Sequence, residues 1–149
     1  MKRFLLLPLF LGFLPVFSAA AKAAAALDDP HSGKLWHHEK IGLYEAWEAT
    51  MGAPAVRVAV LGTGVRETQE DLAGQVCCAY DFFDAEEDAA DDTGVGTHAA
   101  GIIAAVANNR KGVAGVAPGA RLIAADVCGP DGSTAPALLA QGIAYALAV

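Results

Sequence analysis

The stretch Asp91 to Pro118, DDTGVGTHAAGIIAAVANNRKGVAGVAP, constrains this chain more than any other. Gly94-Val95-Gly96-Thr97-His98 opens a run, Ala99 to Ala107, too rich in alanine and isoleucine for a surface loop. Ile102, Ile103 and Val106 recur at helical spacing from His98 and Ala99, which predicts a buried helix. Its glycine-rich first turn lets other backbone or a substrate come close. After Asn108-Asn109 the helix stops, and a glycine-punctuated loop, Gly112 to Gly119, returns the chain to a new strand.

On either side lie segments that suit a sheet. Ala55 to Leu61, AVRVAVL, is apolar on both faces, the mark of a strand buried between helices in a parallel sheet. Val76 to Asp84 reads as a second strand and Ala120 to Val127 as a third. Asp131-Gly132 then makes a turn, Ser133 or Thr134 caps a helix, and Pro136 suits its first turn. Leu138, Leu139, Ile143 and Leu147 line one face of that helix. Before the first strand, Asp28 to Ala53 is loop-like, with a short helical pattern from Ile41 to Trp47 that ends at Gly52. The alternation of strand and helix implies an α/β fold: a doubly wound parallel sheet with helices on both faces.

The amino terminus stands apart. Met1-Lys2-Arg3 is basic, Phe4 to Phe17 is apolar but broken by Pro8 and Pro15, and Ser18 to Ala26 offers Ala-x-Ala sites. That is the pattern of a secretory signal peptide over residues 1–26, leaving a domain over 27–149. The apolar run is shorter than the roughly 20 residues that span a bilayer. Cleavage removes three basic residues and no acid, leaving 7 basic and 17 acidic side chains, a net charge of −10. Such a surface argues against nucleic acid or an anionic membrane as partner, and suits a secreted or periplasmic protein. Cys77, Cys78 and Cys128 make no complete disulfide framework. A Cys128 bridge to one of the adjacent pair and three buried thiols both remain open.

The turn Gly62-Thr63-Gly64, at the carboxyl end of the first strand, is where an open α/β sheet places ligand or catalytic groups. As a dinucleotide fingerprint with Asp81 as the ribose acid it fails, because Glu67 stands at the third glycine and would face the pyrophosphate. No organic cofactor is expected.

A second reading fits more residues. Val95-Gly96-Thr97-His98-Ala99-Ala100-Gly101 resembles the His-Gly-Thr-His-Val-Ala-Gly motif of the subtilisin-like serine proteases, or subtilases. Leu61-Gly62-Thr63-Gly64, followed by Asp71-Leu72, resembles their strand ending in Asp-Thr-Gly and its downstream Asp-Leu. Trp36 and Ala46-Trp47 match the start of the family's mature domain. The resemblance covers about Asp28 to Val149, roughly the first half of a subtilase domain, and implies peptide or protein substrates and an Asp, His, Ser triad in chain order. Here Gly62 stands at the aspartate position and Val95 at the histidine position, while the serine segment would lie past Val149. The chain is therefore expected to be inactive. In subtilisin itself, loss of the base alone costs on the order of a millionfold in rate. His98 lies three residues on, about 4.5 Å along a helix axis, and matches a packed, non-catalytic histidine of the family. Ser133 has no nucleophile elbow around it.

The resemblance also implies a structural calcium ion. The matching ligands are the carboxylate of Asp71, the side-chain oxygen of Asn109 and the carbonyls of Ala107, Lys111 and Val113, the hard oxygens that calcium prefers. Without calcium, Asp71 reads as a turn residue and Asn109 as a helix C-cap. The acidic loop Asp84 to Asp92 lacks an EF-hand's spacing and reads as a solvated, self-repelling surface. A half-sheet would also leave an apolar edge able to pair with another chain. Three readings stand at this point: a truncated and degenerate family member, a secreted non-catalytic binding or regulatory module, and an active protease whose sequence is incomplete or in error at positions 62 and 95.

Overall fold

The computed structural model describes residues 27–86 and 88–149. The signal-like segment 1–26, and Glu87 of the acidic loop, lie outside the described residues.

Three strands, β1 (Arg57–Gly62), β2 (Val76–Asp81) and β3 (Arg121–Asp126), run parallel in the order β1-β3-β2. The central strand β3 carries Leu122, Ile123, Ala124 and Ala125, all buried, which explains why its apolar residues do not alternate with polar ones. The helices are α1 (Trp36–Lys40), α2 (Leu43–Trp47), α3 (Val95–Ala104) and α4 (Pro136–Ala148). On one face of the sheet α3 sets Ala100 and Ala104 against Val60, Leu122 and Ala124, with Val65 and Leu72 completing the core. Burial of leucines such as Leu72 and Leu122 contributes about 1.5–3 kcal/mol each. Small residues on α3 let its axis come close to the sheet.

The other face is covered by α4. Gly142 sits so near the sheet that a methyl group there would meet Val127 at 2.8 Å and Leu61 at 3.3 Å. Beyond it the Tyr145 ring packs against Tyr80 and Phe82, and its hydroxyl donates to the Ala79 carbonyl. Helices on both faces of a parallel sheet are the doubly wound arrangement the sequence implies.

Several boundaries differ from expectation. Helix α3 ends at Ala104, because Gln75 Nε2 donates to the Ala104 and Pro118 carbonyls and the Val106 N–H donates to the Asp71 carbonyl. Val106 is thus a loop residue. Ile102 is also half-exposed, so only one side of this helix is buried. Strand β2 stops at Asp81, whose Oδ1 accepts from the Phe83 and Asp84 N–H groups and turns the chain. Neither Ser133 nor Thr134 caps α4: its N-cap is Ala135, Ser133 bonds Asp131, and the Thr134 hydroxyl donates to the Val127 carbonyl. On α4 it is Leu138, Gly142, Tyr145 and Ala146 that turn inward, while Leu139, Ile143 and Leu147 are exposed. Of the predicted stripe only Leu138 packs toward this sheet; Leu139, Ile143 and Leu147 lie on the outer face. The amino-terminal helical pattern is two short helices, broken where Gly42 takes φ +67°.

Candidate functional site

The carboxyl ends of the three strands bring Gly62, Asp81 and Asp126 into register across the sheet. Above them the first turn of α3 rests on the turn after β1. The approach is backbone on backbone: a Cβ at Gly96 would lie 1.9 Å from the Gly64 carbonyl oxygen, and one at Gly64 would lie 2.3 Å from that of Ala89. Glycine at 64 and 96 is a condition of this contact. It is the close approach the glycine-rich turn predicts.

One buried carboxylate ties the junction together. Asp91 Oδ1 accepts the Thr63 hydroxyl at 2.9 Å and the Thr93 and Gly94 N–H groups at 3.0 and 2.8 Å, while Oδ2 accepts the Thr97 N–H at 2.7 Å. Thr63 Oγ1 in turn accepts the Gly96 N–H at 3.2 Å, and Thr97 Oγ1 accepts the Arg66 N–H at 2.9 Å. Gly94, the N-cap, has no side chain to satisfy the helix start, so Asp91 does it from three residues upstream. Burial pushes the Asp91 carboxyl up, but the bonds from Thr97, Gly94 and Thr63 outweigh it and hold the group well below the usual carboxylate range. Asp91 was assigned above to a solvated acidic loop. The structure corrects that: it is 2% exposed and fully bonded. The readable signal was its position just ahead of a helix whose own cap is glycine.

Gly62 and Val95 bracket this junction, since each directly precedes a partner in the bond between Thr63 and Gly96. A Cβ at Gly62 would meet nothing within 4 Å, and Val95 is 67% exposed. Both positions therefore have room for a side chain, and neither has a group that moves a proton. His98 is exposed, in a groove of about 880 Å³ that also holds His37, Arg66 and Asp92. Its backbone N–H donates to the Gly94 carbonyl, and among the described residues none hydrogen-bonds its imidazole. Ser133 Oγ is exposed and donates to Asp131.

The same sheet edge carries an acidic pocket. Asp126, buried beside Asp81, accepts the Cys128 N–H at 2.9 Å. Burial raises its carboxyl above the ordinary value, and Asp81, Asp91 and Asp92 add to that, against the Cys128 hydrogen bond. Nothing in the sequence reading singled it out; a carboxylate directly after the apolar run Leu122 to Ala125 was the available clue.

At the far end of α3 the loop 107–113 gathers the residues matched to calcium. Asp71, 4% exposed, accepts the Asn109 side-chain N–H at 2.8 Å on Oδ1 and the Val113 N–H at 2.8 Å on Oδ2. The Asn109 side-chain oxygen instead accepts the Lys111 N–H at 2.7 Å. No described residue donates to the carbonyls of Ala107, Lys111 or Val113. The donor set of one carboxylate and several carbonyls suits a hard cation, although the Asn109 oxygen points away from Asp71. A further carboxylate lies here too. Asp29, 2% exposed, accepts the Asn108 and Asn109 N–H groups at 2.9 and 3.0 Å. The contact joins positions some eighty residues apart, so no local pattern announces it.

Comparison with known proteins bears on the same segments. The Subtilase family model matches residues 53–148. This chain belongs to the subtilase family. It is 40% identical over 120 residues to Thermitase of Thermoactinomyces vulgaris, covering 80% of this chain and 43% of that protein. It is 43% identical over 101 residues to a thermophilic serine proteinase of Bacillus sp. (strain AK1), covering 68% of this chain and 25% of that one. A solved protease structure from Pseudoalteromonas arctica PAMC 21717 superposes with a TM-score of 0.69 at 32% identity, covering 78% of this chain and 43% of its own. The chain thus spans less than half the length of these relatives. Among the described residues of this subtilase-family chain, no helix is long and apolar enough to cross a membrane.

Proposed function

We propose that this chain is an exported member of the subtilase family that keeps the protease scaffold and does not itself hydrolyse peptide bonds. One observation supports this above the rest. The two positions facing the Thr63–Gly96 junction, where the family's aspartate and histidine would stand, carry glycine and valine. Attack on a peptide carbonyl needs a base to take the nucleophile's proton and a group to orient that base. Gly62 has no side chain, and the Val95 side chain is hydrocarbon. Among the described residues no carboxylate hydrogen-bonds the His98 imidazole.

The test is hydrolysis of a chromogenic peptide series by the purified chain. No turnover above buffer is expected, and turnover by the purified unaltered chain would overturn the proposal.

On this reading the retained fold serves binding. The loop 107–113, with Asp71 and Asp29 on either side of it, would take a calcium ion. Asp71 would supply the carboxylate and the carbonyls of Ala107, Lys111 and Val113 further oxygens, with Asn109 contributing once its amide turns. A bound ion would lock the loop between α3 and β3. The outer edge of β1, an edge strand of the sheet, is the surface on which a peptide or a second chain would add a strand.

A further inference from the structure

Residues 27–53 form a strap that lies on the loop between α3 and β3. Its ties to that loop are spread along its length. Asp29 accepts the Asn108 and Asn109 N–H groups, and the His31 N–H donates to the Gly112 carbonyl. Further on, the Trp47 indole N–H donates to the Val116 carbonyl at 2.9 Å, and the Gly119 N–H donates to the Met51 carbonyl. Between these ties α1 and α2 pack on each other, with Leu35, His38 and Leu43 buried. None of the three belongs to the core that α3 shares with the sheet. A segment with a small interior of its own, joined to the rest by a handful of hydrogen bonds, opens at a lower free energy than the strands beneath it.

His38 sits at the centre of that small interior. Its ring is wholly buried, edge-on to His37, Tyr44 and Trp47 with centroids 4.6, 6.0 and 5.6 Å away. Neither ring nitrogen has a hydrogen-bond partner among the described residues. A neutral imidazole left this way buries one unpaired donor and one unpaired acceptor. A protonated one would bury a cation with two unpaired donors, which costs far more. The surroundings do not offset that charge. On α1 the titratable neighbour is His37, which disfavours a second positive charge, and Glu39 of the same helix acts on Tyr44. On α2 the Tyr44 phenol is kept neutral by burial and by Glu39, and Trp47 carries no charge. The loop residues around Val116, 114–119, include no titratable side chain.

We propose that the strap is an acid-sensitive clasp: protonation of His38 opens α1 and α2 away from the loop while the sheet and α3 stay folded. The sign follows from the imidazole. Burial, helped by His37, lowers its pKa to about 4 in the closed strap, below the ordinary value near 6.5. The open form therefore binds the proton more tightly. Closure is complete above about pH 6.5 and weakens as pH falls toward 4. Across pH 7 to 4 the opening equilibrium should shift on the order of a hundredfold. Opening would break the Trp47–Val116 bond and expose Leu35 and Leu43.

The experiment is amide hydrogen exchange of the full chain at pH 7 and pH 4, with each rate divided by its intrinsic value at that pH. Peptides covering α1 and α2 should lose protection by about a hundredfold at pH 4, while those covering β3 stay protected. His38→Leu should hold the strap equally protected at both pH values. His38→Gln, polar but unable to take a proton in this range, should do the same and separates charge from the packing effect of leucine. Strap protection that does not change with pH in the unaltered chain would overturn the proposal. So would an equal acid loss in both variants, which would assign the opening to the carboxylates of Asp28 and Asp29. Loss of β3 protection in step with the strap would also overturn it, since the chain would then unfold as one unit.

Discussion

Removal of the Asp91 carboxylate tests how the candidate site is held together. Asp91→Ala removes the acceptor of five donors: the Thr63 and Thr93 hydroxyls and the N–H groups of Thr93, Gly94 and Thr97, of which the Thr93 hydroxyl keeps Thr63 as a second acceptor. Thr93 and Gly94 are exposed and can turn to water, whereas Thr63 and Thr97 are partly buried. Counting chiefly the latter two, at roughly 1.5 kcal/mol for each hydrogen bond to a charged acceptor, the loss is about 3 kcal/mol. Asp91→Asn keeps the acceptor facing Thr63 and Gly94 but sets an amide N–H against the Thr97 N–H, for a loss of about 2 kcal/mol. Urea denaturation at neutral pH measures both, with Asp92→Asn as an exposed control expected within about 0.5 kcal/mol of the unaltered chain. The pH dependence has a definite sign. The folded carboxyl lies well below its unfolded value, so its contribution is complete above about pH 4 and is lost as pH falls through the folded pKa. Asp91→Asn should flatten that acid limb. If Asp91→Ala costs no more than Asp92→Asn, the buried carboxylate does not organise the junction.

Other residues respond in other directions. Asp126 is raised, so in the folded state its ionised form is disfavoured and stability falls as pH rises from about 4 through the folded pKa. Asp126→Asn keeps an acceptor for the Cys128 N–H and should raise the thermal midpoint at neutral pH; a lowered midpoint contradicts the assignment. His38 is fully buried among His37, Tyr44 and Trp47, with neither ring nitrogen hydrogen-bonded among the described residues. Burial, helped by His37, lowers its pKa to about 4, so stability is complete above about pH 6.5 and is lost as pH falls toward 4. His38→Leu should abolish that loss, on the order of 2 kcal/mol, in denaturation curves at pH 4 and 7; an unchanged difference between the two would refute it. Calcium should raise the thermal midpoint of the unaltered chain and leave Asp71→Asn unmoved; equal responses would remove Asp71 from the ligand set.

The strands and α3 were legible because their residues answer to one local condition: β3 is apolar on both faces since both are covered, and α3 is small where it meets the sheet. Motif spacing picked out Gly62 and Val95, and the fold joins the residues that follow them, Thr63 and Gly96, by a hydrogen bond. What stayed hidden depends on contacts distant in sequence. Asp29 reaches the loop at Asn108 and Asn109, and Gln75 ends α3 by taking the Ala104 carbonyl; no local pattern announces either. Asp91 looked like one more charge in an acidic run, because its distinguishing property is the set of N–H groups it accepts. The face of α4 was misjudged for a related reason. Bulky Leu139 and Ile143 outscore Gly142 on hydropathy, yet the sheet's close approach admits glycine there and nothing larger.

The central proposal is that Gly62 and Val95 are the two emptied positions of a proton-handling pair on the part of the subtilase scaffold that this chain spans. Its most direct measurement is the imidazole pKa in Val95→His, by NMR titration, with and without Gly62→Asp. If the two sites face one another, the new carboxylate should raise that pKa by about one unit or more. An imidazole that titrates identically in the single and double variants would contradict the claim.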